Sequence, residues 1–560
     1  KLHLIENCIY GVDIQPIAIQ ISKLRFFISL VIDQKRNDNP ADNFGIRPLP
    51  NLEAKFVAAN SLLGLKKTEA TLFDSEEIKQ KDSQLKIAKH KIFSARRPAT
   101  KEKWRKEVVR LRQEIADLLL DKDCIGNEQA AQLTQWDMFD QNSFAPFFDP
   151  EWMFGVKEGF DILIANPPYI STKGVSTADK KLFEAEFGFS DDTYNLFFFK
   201  GFSLLCKGGC ITYITPKTFW TTQTKRNLRD LLLANTLNYV FDTANPFEAV
   251  MVDTCITSAV KNKPIAENLV RFMDGRKNLS QPECLIVAQS VYLNTQNSVI
   301  FKPSALNMRI YELYGEKVKA LYDKWWDKIK TSRDIEKNKR ELEEYRASLK
   351  PGDVALLGCL TEGGQGLATA NNGKYIAVRS TTKWADNIRM SRPKKLADFL
   401  ARTPKAITAE MYRYPSYAAF LQSLSEAEIA GLFDSLKEQY GRDIFGQGYL
   451  YKIVDDCEIA NVDSLTDNEK ENGIETTKPY YVPYDKGDKD GNRWYLETPF
   501  AIAWSKENVR FLKTNSGKKG EGMPVVRNPQ FYFREGFCWN NVLTTYMKCK
   551  KKEKTVQRTE

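Results

Sequence analysis

The stretch Phe160-Asp161-Ile162-Leu163-Ile164-Ala165-Asn166-Pro167-Pro168-Tyr169 decides how this chain is read. Its first six residues form a short apolar run of the kind that becomes a buried strand. The next four end that strand at a rigid corner. Pro167 fixes its own φ and pushes Asn166 toward an extended backbone. Pro168 acts in the same way on Pro167, so the carbonyls point in set directions. The corner offers an amide side chain, a carbonyl from a residue without an N–H, and an aromatic face. Together these suit a flat molecule that carries an exocyclic amine, such as adenine N6. That nitrogen is a poor nucleophile because its lone pair is delocalised into the ring. If the Asn166 side-chain oxygen and the Pro167 carbonyl accept its two hydrogens, the nitrogen becomes more tetrahedral. Its lone pair is then free to attack a methyl donor, while Tyr169 stacks on the ring. The plain alternative is a strand-ending proline turn, because Pro-Pro marks loops generally.

Upstream, residues 7–14 read as a strand ending at Asp13, with Pro16 opening a helical pattern from Ile17 to Leu30. Proline is favourable at a helix start. In open α/β sheets ligands bind off the carboxyl ends of strands. An acidic Asp13 there can accept both hydrogen bonds of a ribose diol, or it can simply cap the helix. Lys55 to Gly64 reads as a second strand and turn. Asn60 at its end can hydrogen-bond an adenine ring or cap the next turn. Residues 74–122 are highly charged, and Val108, Leu111, Ile115, Leu118 and Leu119 form one apolar stripe. They read as an inserted helical hairpin, with a solvated charged arm as the simple form and a DNA clamp as the rarer one. Asp140 to Gly155 is aromatic packing that leads into the central strand.

Downstream, Tyr194 to Leu205 reads as an apolar helix and Cys210 to Thr215 as a strand. Leu237 to Phe241 and Asp253 to Val260 add two more strands. Strand and helix alternate, as in a doubly wound sheet. Asn307 to Leu349 is a basic helical connector. From Pro351 the texture changes to more Gly, more Tyr and short strands without βα alternation, which marks a second domain. The expected boundaries are 1–300 for an α/β catalytic domain with an insertion at about 66–135. Residues 301–350 follow as the connector, and 351–560 as an α+β domain.

The chain has 560 residues, 42% hydrophobic and 28% charged, with a formal net charge of +10. That composition supports several globular domains with real cores. The mild basicity suits a nucleic-acid partner, although many other enzymes share it. No apolar run is long and charge-free enough to cross a bilayer, and no signal peptide is visible. Only two His accompany ten scattered Cys, which argues against a metal site or histidine catalysis and for free cytosolic thiols. Glu53-Ala-Lys55 has the spacing of a nuclease metal-site tail but no matching upstream Asp. No Walker A lysine motif is present.

The order Asp13, Asn60-Ser61-Leu-Leu, Asn166-Pro-Pro-Tyr169 and Gly208 to Pro216 resembles N6-adenine DNA methyltransferases. The similarity is to the type IIG restriction–modification enzymes and the methyltransferases of BREX phage defence, in which a target-recognition domain follows the catalytic one. It covers most of residues 1–260. Tyr481 to Tyr484, Trp494, Trp504, Gly536 to Trp539 and Glu362 to Gly366 are similar to landmarks of such recognition domains. The resemblance implies a Rossmann-like sheet that uses S-adenosylmethionine (SAM) and double-stranded DNA in the bacterial cytoplasm, with no metal. It assigns Asn166, Pro167, Pro168 and Tyr169 to catalysis, Asp13 and Ile14 to the SAM ribose side, and Asn60 and Ser61 to the SAM adenine side. Phe247, before Val252-Asp253-Thr254, is expected to stack on the other face of the base. The family's glycine-rich SAM loop is expected before Asp13. The sequence as given is therefore expected to be a fragment that binds SAM poorly, with the missing half, and any nuclease, lying upstream.

Base-reading candidates in the second domain are Arg379, Lys383, Arg389, Arg392, Lys394, Lys395, Lys518, Lys519, Arg527 and Arg534. Lys548 to Lys554 reads as a disordered basic tail. The rival readings are a protein or RNA amino-methyltransferase and a non-catalytic DNA-recognition subunit.

Overall fold

The computed structural model describes the chain except residues 46–51, 54, 66–75, 96, 123, 141, 248–251, 327–333, 442–443, 446–450, 486–497, 519, 521, 540–548 and 558–560. Trp494 and Lys519 therefore lie outside the described residues. The chain divides into two compact units, Lys1–Leu356 and Leu357–Glu560.

The first unit opens with β1 (Gly11–Asp13), α1 (Pro16–Ile32) and β2 (Phe56–Ala58). β1 and β2 form a parallel pair in which Asp13 lies opposite Ala58. Pro16 is the first residue of α1, where its missing N–H costs nothing. The charged segment forms α2 (Glu76–Ser94) and α3 (Pro98–Asp121). Its apolar stripe is not left in water. Val108, Leu111, Ile115 and Leu119 are buried with Val57, Ala59, Phe147 and Trp152 in one core. The simple reading as a solvated arm is thus corrected. Most charges face outward, Asp82 and Arg112 are buried, and the stripe shares its core with the strand that leads to Asn60.

The main sheet contains β3 (Phe160–Ala165), β4 (Leu205–Pro216), β5 (Thr236–Ala244), β6 (Thr254–Val260), β7 (Leu269–Asp274) and β8 (Glu283–Ala288). α4 (Thr177–Phe187) and α5 (Thr193–Leu204) connect β3 to β4, and α6 (Arg226–Leu233) connects β4 to β5. The strand order is β3-β4-β6-β5-β7-β8. β3, β4, β5 and β7 run the same way, while β6 and β8 run against them. The sheet is therefore mixed, not wholly parallel. β5 ends at Ala244 and β6 begins at Thr254, a link too short for a parallel crossover, so the chain returns as an antiparallel neighbour.

One expectation fails at β3, which is only half buried. Ile162 is 66% exposed and Ile164 79% exposed. Among the described residues β3 pairs with β4 alone, so its other edge carries unpaired backbone groups. Beneath it the approach to β4 is close. Gly159 sits at φ +92°, and a Cβ there would lie 2.6 Å from the backbone nitrogen of Cys206. Only glycine fits that entry. α1 shows the same bareness, because Ile17, Ile21, Leu24, Ile28 and Ile32 are all exposed while Ile19 and Leu30 are buried. The unit closes with helices α7 (Ala305–Leu321) and α8 (Ile335–Ser348).

The second unit is a five-stranded sheet and a helical layer. Its strands are β9 (Ile376–Arg379), β10 (Lys452–Val454), β11 (Tyr481–Asp485), β12 (Phe500–Ala503) and β15 (Val556–Gln557), in the order β10-β9-β12-β11-β15. β13 (Gly536–Trp539) and β14 (Cys549–Lys552) form a separate antiparallel pair. Between β9 and its parallel partner β10 come α9 (Lys383–Arg402), α10 (Tyr417–Ser423) and α11 (Glu426–Tyr440). One helical crossover is therefore present where the sequence suggested none. The expected disordered basic tail is also corrected. Lys550 and Lys552 are buried, and Lys550 donates to Asp485 at 2.7 Å. Pairing with a buried carboxylate holds this basic run in β14.

Candidate active site

β3 ends at Ala165, and the corner follows at once. Asn166 and Pro168 are exposed, Pro167 is buried, and Tyr169 is half-buried. Among the described residues nothing hydrogen-bonds the Asn166 side chain or the Pro167 carbonyl. The rest of the corner is tied down. The Tyr169 hydroxyl donates to the Ile214 carbonyl on β4 at 3.1 Å. Burial, with a smaller contribution from the nearby Cys255, pushes this phenol up to about 12. It stays protonated at neutral pH and can keep donating. The Thr193 hydroxyl donates to the Pro168 carbonyl at 2.5 Å and accepts the Ile170 N–H at 3.1 Å.

Thr193 begins α5, and the residues beside it form an ionic anchor. Asp192 accepts the Thr172 N–H at 2.8 Å and the Thr172 hydroxyl at 2.9 Å. The buried Lys225 ammonium pairs with Asp192 at 2.8 Å and also with Asp191. Burial pushes the Asp192 carboxyl up, but its bonds to Lys225 and Thr172 outweigh that and hold it below the usual carboxylate range. Asn195, fully buried, donates to Asp191 at 2.5 Å and to Asn227 at 3.2 Å.

The residues expected on the cofactor side lie at the ends of β1 and β2. Asp13 is exposed and its carboxylate accepts the Gln15 N–H at 2.8 Å. Ile14 is 58% exposed. The Ala59 N–H donates to the Asp13 carbonyl at 2.8 Å, so Asn60 follows directly beside Asp13. Asn60 accepts the Leu62 N–H on its side-chain oxygen at 3.2 Å, so it caps its own turn, and Ser61 is half-buried within that turn. Leu62 packs against Phe183 and Leu196, which joins the Asn60 turn to the two helices that follow the corner. The amino ends of β1 and β3 also meet, with the Tyr10 and Phe160 rings 5.9 Å apart.

Phe247 follows β5, whose carboxyl end lies on the same side of the sheet as that of β3. Its ring is half-buried and its N–H donates to Asn245 at 3.2 Å. Nothing in the described contacts joins Phe247 to Tyr169.

The sequence reading missed two features. The side chains of Thr193 and Lys225 find their partners 25 and 34 positions away, at Pro168 and Asp191. Lys217, just past β4, pairs with Asp242 at 3.3 Å and Asp253 at 2.8 Å, and so ties the carboxyl ends of β4 and β5 together. Several base-reading candidates are already engaged. Arg379 pairs with Asp456 and Arg389 with Glu426, each at 2.9 Å, and the buried Arg392 donates to the Tyr451 carbonyl. Glu53 pairs with Arg105 at 3.3 Å, and the described residues hold no cluster of three metal-ligating side chains. No described helix is long and apolar enough to cross a membrane.

A mixed α/β sheet with an Asn-Pro-Pro-Tyr corner at a strand's carboxyl end, and an acidic strand end beside it, is the arrangement that the sequence resemblance to methyltransferases leads one to expect. Residues 7–247 match the model of the Eco57I restriction-modification methylase family. Among curated relatives, RM.MjaORFECS2P of Methanocaldococcus jannaschii, named as a type II restriction enzyme and methyltransferase, is 25% identical. That match covers 52% of this chain and 30% of the relative. The type II methyltransferase M.HincII of Haemophilus influenzae is 22% identical over 30% of this chain and 36% of its own length. The chain thus spans about a third of the length of these relatives. Among solved structures, the type IIG restriction endonuclease BpuSI matches at 13% identity and TM-score 0.21, over 67% of this chain and 46% of that one. The type I methyltransferase subunit from Streptococcus thermophilus matches at 18% identity and TM-score 0.20, over 29% of this chain and 35% of that one.

Proposed function

We propose that the domain transfers a methyl group from SAM to adenine N6 in double-stranded DNA, within a restriction–modification or phage-defence system. One observation carries this reading. At the corner, the protein itself consumes the Pro168 carbonyl and the Tyr169 hydroxyl, yet leaves the Asn166 amide and the Pro167 carbonyl unengaged. An exposed amide left without a protein partner beside a rigid carbonyl suits an incoming amine better than it suits a structural turn.

When bound, SAM supplies a methyl group activated by its sulfonium. The exposed Asp13 suits the ribose hydroxyls, with one carboxylate oxygen already fixed by Gln15, and Ile14, Asn60 and Ser61 suit the adenosine. A base in duplex DNA must rotate out of the stack first, at a cost of a few kcal/mol. Asn166 and Pro167 then accept the amine hydrogens, and Tyr169 holds the ring. Positioning and fixed dipoles supply most of the acceleration, and no covalent enzyme intermediate is required.

The second unit is proposed to contact DNA. Residues that keep exposed cations, such as Lys383, Lys394 and Arg534, suit phosphates better than the paired Arg379 and Arg389 do.

The test is Asn166→Ala in the full-length protein, with labelled SAM and duplex DNA. The expected result is loss of N6-methyladenine with duplex affinity kept. Methylation of protein or RNA in place of DNA would move the substrate class, and retained methylation would remove Asn166 from its role.

A further inference from the structure

We infer that Thr193 is a positioning residue that decides which oxygens of the corner are left for the target amine. The inference rests on the function proposed above and adds a residue to it. Three carbonyl-type oxygens are carried by consecutive residues of the corner, on Asn166, Pro167 and Pro168. Two of them can hold one amine in a defined geometry; a third competes for the same hydrogens and blurs it.

Thr193 removes the third. Its hydroxyl is 95% buried with its residue and has one proton to give, which goes to the Pro168 carbonyl at 2.5 Å. The same oxygen accepts the Ile170 N–H at 3.1 Å, and the Thr193 N–H donates to the Ile170 carbonyl at 3.0 Å. The peptide units on both sides of Tyr169 are thereby fixed to the first residue of α5. That first residue is itself immobilised. Asp192 grips Thr172 through two hydrogen bonds, and Lys225 neutralises Asp191 and Asp192 together. The corner is thus clipped at Pro168, Ile170 and Thr172 to one helix start, over some twenty-five residues of intervening chain, while Asn166 and Pro167 stay outside the clip. Thr193 touches no reacting atom. It acts through the backbone of the corner.

The experiment compares wild type, Thr193→Val, Thr193→Ala and Thr193→Ser in the full-length protein, with Asn166→Ala alongside. Single-turnover methyl transfer to duplex DNA, KM for DNA and thermal melting are read for each. Thr193→Val keeps the shape and loses the hydroxyl. Its transfer rate is expected to fall about 10- to 100-fold, with KM for DNA changed by less than about threefold. Thr193→Ser keeps the hydroxyl and is expected to recover most of the rate. Should Thr193→Val fail to fold, Thr193→Ala reads the same loss without the displaced methyl groups. Rates within about twofold of wild type for both Val and Ala overturn the inference. So does a Ser variant as slow as Val, which would make the role one of packing. If Asn166→Ala abolishes transfer and the Thr193 variants do not, only this inference fails. If Asn166→Ala still methylates, the proposed function fails first.

Discussion

The Asn166 corner and the Asp13 turn both sit at carboxyl ends of parallel strands, yet they are held in opposite ways. The corner rests on a strand paired with β4 and on a helix start wired by Thr193, Asp192 and Lys225. The Asp13 turn rests on a three-residue strand with one three-residue partner. Its helix, α1, keeps only Ile19 and Leu30 buried while six other apolar residues stay exposed. The first region is braced from β4 and from the start of α5. The second holds its carboxylate by one N–H and a short ladder. The difference teaches that positioning at a strand end comes from what braces the loop, not from the strand itself.

That comparison can be broken or sharpened experimentally. Asn166→Ala has the largest expected effect, a fall of more than about 100-fold in methyl transfer, because it removes a preorganised acceptor. Thr193→Val comes next, through the same corner. Lys225→Met acts on stability. It leaves Asp191 and Asp192 facing each other without their cation, and loss of one partner from a buried ion pair costs about 3–5 kcal/mol. Chemical denaturation that found the Met variant as stable as wild type would show the brace to be dispensable.

Ile19→Ser and Ile21→Ser probe the other region. The first is expected to cost about 3 kcal/mol, since Ile19 is buried. The second is expected to change stability by less than about 0.5 kcal/mol, since Ile21 is half exposed. Equal losses would mean that α1 is covered on both faces in solution.

A pH effect of smaller size is expected at the far side of the sheet. Hydrogen bonds from Arg276, and then from Lys302, hold the Asp274 carboxyl well below its usual range. A depressed carboxyl contributes stability above its unfolded value of about 4 and loses it as pH falls below that. Asp274→Asn removes this contribution. The gap in melting temperature between variant and wild type is therefore expected to narrow as pH drops below about 4. A gap that stayed constant with pH would assign the effect to packing.

Much of this was legible in the residues. The apolar runs at 160–165, 210–215 and 237–241 became strands because short buried segments bounded by turns have little else to do. The proline corner fell where two fixed φ angles must end a strand. Pro16 marked the start of α1. What the sequence could not carry was contact between distant residues. Lys550 meets Asp485 across 65 positions, and a basic run thereby becomes a strand. Thr193 meets Pro168 across 25. The reversed direction of β6 follows from its short link to β5, whose consequence alternation of strands alone does not reveal. The exposure of Ile162 and Ile164 depends on which neighbours β3 has, and an apolar run looks the same with one partner or two. Asn60 shows the limit on the site itself, because a residue that can cap or bind does the first here through Leu62 and leaves the second to experiment.

The bare flank of β3 has a practical consequence. A strand that shows unpaired N–H and C=O groups beside two solvent-facing isoleucines is a template on which any extended peptide can crystallise its own hydrogen bonds. Concentrated solutions of this polypeptide will tend to clump along that margin, even though its net charge of +10 would otherwise keep molecules apart.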